Sequence, residues 1–442
     1  MDLQLSDKPL RSNRPAPIAA APAGCRSLSR AALAICLLAL AGLLSGCEQR
    51  ELVRVTPQMN IETRFWVRVL LLADATECTV RAPAAIKAGR PTLGQEIAVA
   101  QVVLPANTSA KVRLEAGRFK VGDVPVTDNQ FVISAERPYI FTLNGRSYRG
   151  KLELTANSDG RTFRAINLVP LEPYLAGVVG AEMFNYWEPE ALKAQTIAAR
   201  TYCLFIKNRF GVNRSWDVSN TQASQMYGGI SAESAQIWNV VNATSGMVMV
   251  SPQRTTLESG LFPAYYSAIC GGHTESSERV FGDSFTPLQG VDCSYCDDVS
   301  RLGSFFWPMV QYDRAVVTER LIAKYPSLKA LGEISEIVVI EQSEFKGLSR
   351  ITRVRLVGST GKTDTLRGED LRLTLDPTGR KLQSTICRIV PWGNGWAFLS
   401  GRGWGHGVGM CQYGAEGMAR QGKNVREILH YYYPGAEIVK LY

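Results

Sequence analysis

Between Phe65 and Ile166 the chain is cut into short runs rich in β-branched and aromatic residues, each closed by Gly, Pro or Asn. That punctuation is the pattern of strands joined by turns. Strands are expected at Phe65 to Leu72, Glu96 to Val103, Lys111 to Leu114, Phe131 to Ile133, Lys151 to Leu154 and Thr162 to Ile166. The last two are separated by Asn157-Ser158-Asp159-Gly160, whose Asp-Gly pair signals a hairpin.

A different pattern follows. Pro189 and Glu190 open a helix reaching about Lys207, because Pro at the first turn already has helical φ and an acidic residue there opposes the positive end of the dipole. Leu192, Ala199, Cys203 and Ile206 form its expected buried stripe, and Lys193 and Arg200, close to two turns apart, share another face. A second helix is expected from Ala232 to Asn242. Residues 305–384 mix a helix near Arg314 to Tyr325 with strands at Ile334 to Glu341, Arg350 to Val357 and Lys362 to Leu366. The expected fold class is therefore α+β: a β-rich core, a helical region and an inserted small α/β domain. With 442 residues the chain is too long for one ordinary core.

The N-terminus reads as an export signal. Arg26 and Arg30 precede an apolar run from Ala31 to Leu44, which is too short to span a bilayer. It ends at Leu44-Ser45-Gly46-Cys47, which resembles the lipobox of bacterial lipoproteins, so Cys47 is the expected lipidation site and membrane anchor. The alternative is an ordinary cleaved signal with an incidental cysteine. Residues 1–46 hold five basic and two acidic side chains, so their removal lowers the net charge of +9 by three, to +6. No Lys/Arg-rich run or basic-aromatic stripe marks a nucleic-acid surface. The residual charge reads as a bias toward an anionic partner such as the cell wall, or as ordinary surface charge.

Glu182 lies in the small, apolar run Val178-Val-Gly-Ala-Glu-Met183, where desolvation raises a carboxyl pKa and suits it to general acid work. The run by itself more readily describes a capping or salt-bridged glutamate. A glycine-rich segment, Gly401 to Gly409, places glycines at alternate positions, which would leave one face of an extended strand bare and project Arg402, Trp404, His406 and Val408 the other way. Helices near Gly414 to Arg420 and Val425 to Tyr433 follow it.

Taken in order, the segments Tyr148-Arg-Gly150, Leu171-Glu-Pro-Tyr-Leu-Ala-Gly-Val-Val-Gly-Ala-Glu-Met183 and Glu190-Ala-Leu-Lys-Ala-Gln-Thr-Ile-Ala-Ala-Arg-Thr-Tyr202 closely resemble the SpoIID family. The likeness continues at Asp217, Thr221 and Gln225-Met-Tyr227, at Gly271-Gly-His-Thr-Glu275, at Gly368-Glu-Asp-Leu-Arg372 and at Gly403-Trp-Gly-His-Gly-Val-Gly-Met-Cys-Gln-Tyr-Gly-Ala415. The resemblance covers roughly residues 145–435 and implies a lytic transglycosylase that cuts peptidoglycan glycan strands stripped of their peptides, with Glu182 as catalytic residue. Lys193 and Arg200 are then candidates for substrate binding or for supporting the site, and Trp404 and His406 for lining the glycan cleft. Gln225 and Tyr227, with Asp217, are either cleft residues or internal hydrogen-bonding partners. The expected organisation is 1–46 signal, 47–63 tether, 64–140 β-rich region, 141–304 catalytic region, 305–384 inserted region and 385–442 glycine-rich cleft segment with helices.

One carboxyl suffices for that chemistry. Glu182 would protonate the glycosidic oxygen and then take the proton of the muramyl 6-hydroxyl as it closes an anhydro ring, so no second carboxylate has to activate water. Relatives described as amidase enhancers supply the runner-up, a noncatalytic wall-binding protein that stimulates a cell-wall amidase. A zinc hydrolase has little support, since the chain holds three histidines and no His-Glu-x-x-His helix. The expected location is the bacterial cell envelope.

Cys270, His273, Cys293 and Cys296 have the spacing Cys-x2-His, nineteen residues, Cys-x2-Cys, which fits a closed, structural zinc site. Disulfides are the competing reading in an oxidising compartment, with Cys78, Cys203, Cys387 and Cys411 available for further pairs, although Cys203 on a buried helix face reads as a free core thiol.

Overall fold

The computed structural model describes residues 65–442 except 92–96, 223, 253–255 and 301. Cys47 and the expected export signal and tether lie outside the described residues. Among the described residues no helix is long and apolar enough to cross a membrane.

The expected strands form two antiparallel-rich sheets. The larger runs Val218–Ser219, Trp66–Ala75, Phe163–Pro170, Lys151–Ala156, Gln130–Ala135, Ile86–Pro91, Ile97–Leu104, and the smaller gathers six strands between Glu77 and Arg149. Alternating burial in strands such as Ser109–Glu115 directs one face of each inward. Phe119 of the smaller sheet meets Phe131 and Phe163 of the larger at ring separations of 5.0 and 5.4 Å, so the two sheets share one core. The boundary expected near residue 140 is therefore not a structural one, because strands 151–170 belong to the N-terminal sheet. The hairpin forms as expected, but around a wider loop: the Asp159 carboxylate receives the N–H groups of Arg161 and Thr162 at 2.9 and 3.0 Å.

Phe163–Pro170 is an inner strand of the larger sheet, hydrogen-bonded on both sides. Its end feeds directly into the helix Leu171–Glu182. Eight of that helix's twelve residues are buried, so its axis sits inside the core rather than on it. The next helix, Pro189–Phe210, begins at Pro189 as expected, with Lys207 and Arg209 in its last turn matching the negative end of the dipole. Burial there is far wider than the expected stripe, taking in Gln195, Thr196, Arg200 and Thr201 while Ile206 is only half-buried. The reason is that other helices pack around it, among them Leu171–Glu182, Ala235–Ala243, Gln412–Arg420 and Val425–Tyr432.

A second hydrophobic core gathers Trp307, Val317, Leu321, Val354, Leu371, Trp396 and Phe398. Residues 395–399 pair with Val310–Asp313, so this unit takes in chain that sequence reasoning assigned to the C-terminal segment beyond 384. The whole is a mixed α+β fold.

Candidate functional site

Glu182 is the last residue of its helix, because Met183 turns extended at φ −130° and ψ 154°. Close packing holds that helix end in place. Gly180 lies against the backbone of Ala232, where a Cβ would collide with a carbonyl. The Glu182 carboxylate accepts the Met226 N–H at 2.8 Å and a hydrogen bond from the Gln412 side chain. No cation pairs with it among the described residues. Burial raises its pKa above the ordinary glutamate range, and the two hydrogen bonds only partly offset that rise.

The carboxyl opens into a cleft of about 360 Å³. One wall is the segment Tyr265 to Ala268, a second is Trp404 to His406, and a third is Glu369, Arg372 and Leu373 of the second core unit. The walls are joined locally. The strand Tyr266–Ser267 runs parallel to Met410–Cys411, and Ile269 pairs with Trp404. The alternate glycines do not make a bare-faced strand here. Gly403, Gly405, Gly407 and Gly409 all have positive φ, and a Cβ on Gly409 would strike the Tyr265 carbonyl, so they allow two backbones to touch. Trp404 remains partly exposed, its ring available at the cleft.

His406 lines the cleft, yet its ring is engaged by backbone. Nδ1 accepts the Val408 N–H at 3.0 Å, and a hydrogen bond joins the ring to the Tyr266 backbone. Burial lowers its pKa to about 4, against the pull of Glu369, so the imidazole is neutral and braces the glycine segment. Glu369 and Arg372 form a bidentate ion pair at 2.6 and 2.9 Å. Burial opposes the Glu369 charge, but Arg372 outweighs it and the carboxyl pKa falls below its ordinary value.

Four residues weighed as substrate contacts lie elsewhere, Gln225 and Tyr227 in the alternative role of internal hydrogen-bonding partners. Lys193 pairs with Glu190 at 2.6 Å on the helix exterior, and Glu190 in turn accepts the Val425 N–H at 2.8 Å. Arg200 is fully buried, bound to Glu172 through Nη2 at 2.6 Å and Nε at 3.0 Å and to the Met247 carbonyl at 3.0 Å. Tyr227 donates to Asn167 at 2.9 Å among the rings of Tyr148 and Tyr174. Gln225 is buried behind the wall and reaches it only through Tyr266. Asp217 is paired with Arg68 at 2.7 Å. The long helix is enclosed on more sides than its pattern implied, so its polar face meets protein rather than cleft.

Conversely, Tyr266, Glu369, Arg372 and Gln412 line the cleft without having been assigned a role from sequence. Glu369, Arg372 and Gln412 stand inside quoted motifs; nothing in the local sequence distinguishes Tyr266 from Tyr265.

Behind the Tyr266 wall lies a buried cluster that could hold a metal ion, formed by Cys270, Cys293, Cys296 and Cys411, whose sulfurs all lie within 4.8 Å of one another. The fourth member is Cys411 and not His273. Gly271 and Gly272, at φ 80° and 119°, turn the chain so that His273 pairs its backbone with Asp292 and stacks its ring on Phe345 at 4.1 Å. Pairing of Tyr266–Ser267 with Met410–Cys411 brings the distant cysteine in instead. A tetrahedral ion with metal–sulfur distances of about 2.3 Å requires sulfurs roughly 3.8 Å apart. Cys270 and Cys296 are 3.7 Å apart, and all four are free thiols. The Cys411 sulfur also accepts the N–H groups of Cys270 and Gly414 at 3.2 and 3.4 Å, partners that suit a thiolate ligand. Hydrogen bonds from its three neighbours pull the Cys293 thiol well below its ordinary pKa, whereas burial pushes Cys270 and Cys411 up. Cys203 is the free, buried core thiol expected.

Residues 159–250 match the family model described as SpoIID, Stage II sporulation protein. The chain is similar to an uncharacterized protein of Brachyspira hyodysenteriae, at 32% identity over 365 residues, which cover 81% of this chain and 90% of that protein. It is 30% identical over 294 residues to the stage II sporulation protein D of Bacillus subtilis, covering 62% of this chain and 76% of that one. A Bacillus subtilis protein named amidase enhancer is 27% identical over 372 residues, which span 74% of this chain and 49% of that protein.

Proposed function

This chain belongs to the SpoIID family, and from that premise we propose that it is a lytic transglycosylase cutting peptide-free glycan strands of peptidoglycan, with Glu182 as both acid and base. The carrying observation is the pairing of one desolvated, unpaired carboxyl with the absence of a second free one in the described cleft lining, where Glu369 is committed to Arg372. A protonated Glu182 gives its proton to the glycosidic oxygen as the bond to C1 breaks. The resulting carboxylate takes the proton of the muramyl 6-hydroxyl as that oxygen bonds to C1, which returns Glu182 to its starting state. No water needs a base. Trp404 offers a ring for stacking on a sugar, and His406 serves by holding the glycine segment in place.

The four cysteines fit a structural zinc ion on donor type and spacing. When bound it would tie Cys270 and Cys411 together, and with them the two cleft walls on which Tyr266 and Gln412 sit. The export signal and Cys47 support a lipid-anchored protein of the bacterial envelope, where glycan is at hand.

A relative named amidase enhancer favours a second reading, in which the same cleft binds glycan without cutting it and presents it to a cell-wall amidase. Incubating the purified protein with peptide-free strands and reading the products by mass spectrometry separates the two. Anhydro-muramyl ends that appear with wild type and vanish with Glu182→Gln support the enzyme; binding without cleavage by both supports the enhancer.

A further inference from the structure

Tyr266 stands on the cleft wall with Glu182 but has no part in the chemistry above. Its surroundings define what its hydroxyl can do. The Gln225 carboxamide nitrogen lies 3.3 Å from the Ala199 carbonyl, which can only accept, so that end of the side chain is the NH2 group. The other end agrees, since Gln225 Oε1 accepts the buried Tyr174 hydroxyl at 3.1 Å. Fixed in this orientation, Gln225 Nε2 also donates to the Tyr266 oxygen at 2.9 Å. Tyr266 thus accepts from Gln225, and a phenol has one proton of its own to place. Among the described residues no acceptor takes that proton. Burial, reinforced by the nearby Glu182, holds the phenol pKa well above its ordinary value, so the proton is retained.

The geometry points to Tyr266 as a substrate-contacting hydrogen-bond donor, its O–H directed at an oxygen of the sugar that Glu182 protonates, with Gln225 and Tyr174 as the relay that fixes its direction. The inference rests on the glycan reading of the cleft. No bond changes at Tyr266 and no proton leaves it. It explains why Gln225 is buried behind the wall instead of lining it: Gln225 positions Tyr266 and does not touch substrate.

The test is binding, which survives the loss of cleavage. Calorimetry with a peptide-free glycan oligomer is run on Glu182→Gln and on the same variant with Tyr266→Phe. Loss of one neutral hydrogen bond predicts about tenfold weaker binding by the double variant. An unchanged affinity overturns the assignment. Incorporating 3-fluorotyrosine at position 266 keeps the ring and strengthens the donor, so affinity should hold or rise; a loss equal to that of Tyr266→Phe would mean packing rather than donation and also overturns it. In the wild-type background Tyr266→Phe should lower kcat/KM at least as much, since the contact persists in the transition state. If Glu182→Gln still cuts glycan, the catalytic reading fails while the binding comparison still judges Tyr266. If the oligomer does not bind Glu182→Gln at all, the glycan reading falls and Tyr266 with it.

Discussion

The helix Leu171–Glu182 carries a carboxylate near each end, and the two are treated in opposite ways. Glu172, in the first turn, is bound by Arg200 through two nitrogens and also receives the Tyr442 hydroxyl. Glu182, in the last turn, receives one backbone N–H and one amide and faces a cleft. Both sit in an apolar helix, so both charges are costly to bury. Only Glu172 has that cost offset by a cation. The difference leaves Glu172 holding the helices together and Glu182 facing the cleft without a counter-ion, as the proposed acid requires.

The largest expected effect attacks the unpaired end. Glu182→Gln should reduce the formation of anhydro ends by about 10²- to 10⁴-fold, the usual contribution of a positioned acid. It should also leave the fold intact, because the amide oxygen can still accept the Met226 N–H. At neutral pH thermal unfolding should move upward. The folded pKa of Glu182 is raised, so its ionisation favours the unfolded chain above that pKa, and the advantage of Gln should disappear as pH falls below the unfolded value near 4.3.

Breaking the paired end should do the reverse. Arg200→Met leaves Glu172 buried without its cation and should cost about 3–5 kcal/mol in denaturant unfolding. A wild-type midpoint in this variant would reject the contrast between the two ends.

The cysteine cluster sharpens the comparison, because Cys411 precedes Gln412, the residue that touches Glu182. Elemental analysis should find about one zinc per chain, with Cys411→Ser losing it on dialysis and His273→Ala keeping it. The opposite pattern would restore His273 as a ligand, and no zinc in any of the three would remove the site.

The pH profile distinguishes acid from brace. On the proposed mechanism, in which Glu182 acts protonated, kcat/KM should fall as pH rises through its raised pKa, and that limb should be absent from the residual activity of Glu182→Gln. His406, neutral above about 4, should add no inflection between pH 5 and 7. Its pKa is depressed on folding, so its effect is on stability: fully present above the unfolded value near 6.5 and lost as pH falls toward about 4. The smallest effect is expected at Lys193→Ala, a surface pair with Glu190, which should change stability by less than about 1 kcal/mol and leave glycan binding unaltered.

The sequence by itself determined six of the twelve strands between Trp66 and Pro170, the Pro189 helix, the presence of a second α/β core, and the local setting of Glu182. Each of these is written in neighbouring residues: a turn signal, a helix start, an apolar run around one carboxyl. Which polar residues meet was decided elsewhere. Lys193 and Arg200 share a helix face as their spacing requires, but whether that face meets cleft, solvent or protein depends on the helices packed around it. Cys411 joins Cys270 across 141 residues because two short strands run parallel, and no spacing rule reaches that far. Tyr266 was hidden for the same reason. Side by side in the chain, Tyr265 and Tyr266 are equivalent; only the buried amide of Gln225, brought from another element, gives one of them a hydroxyl proton directed into the cleft.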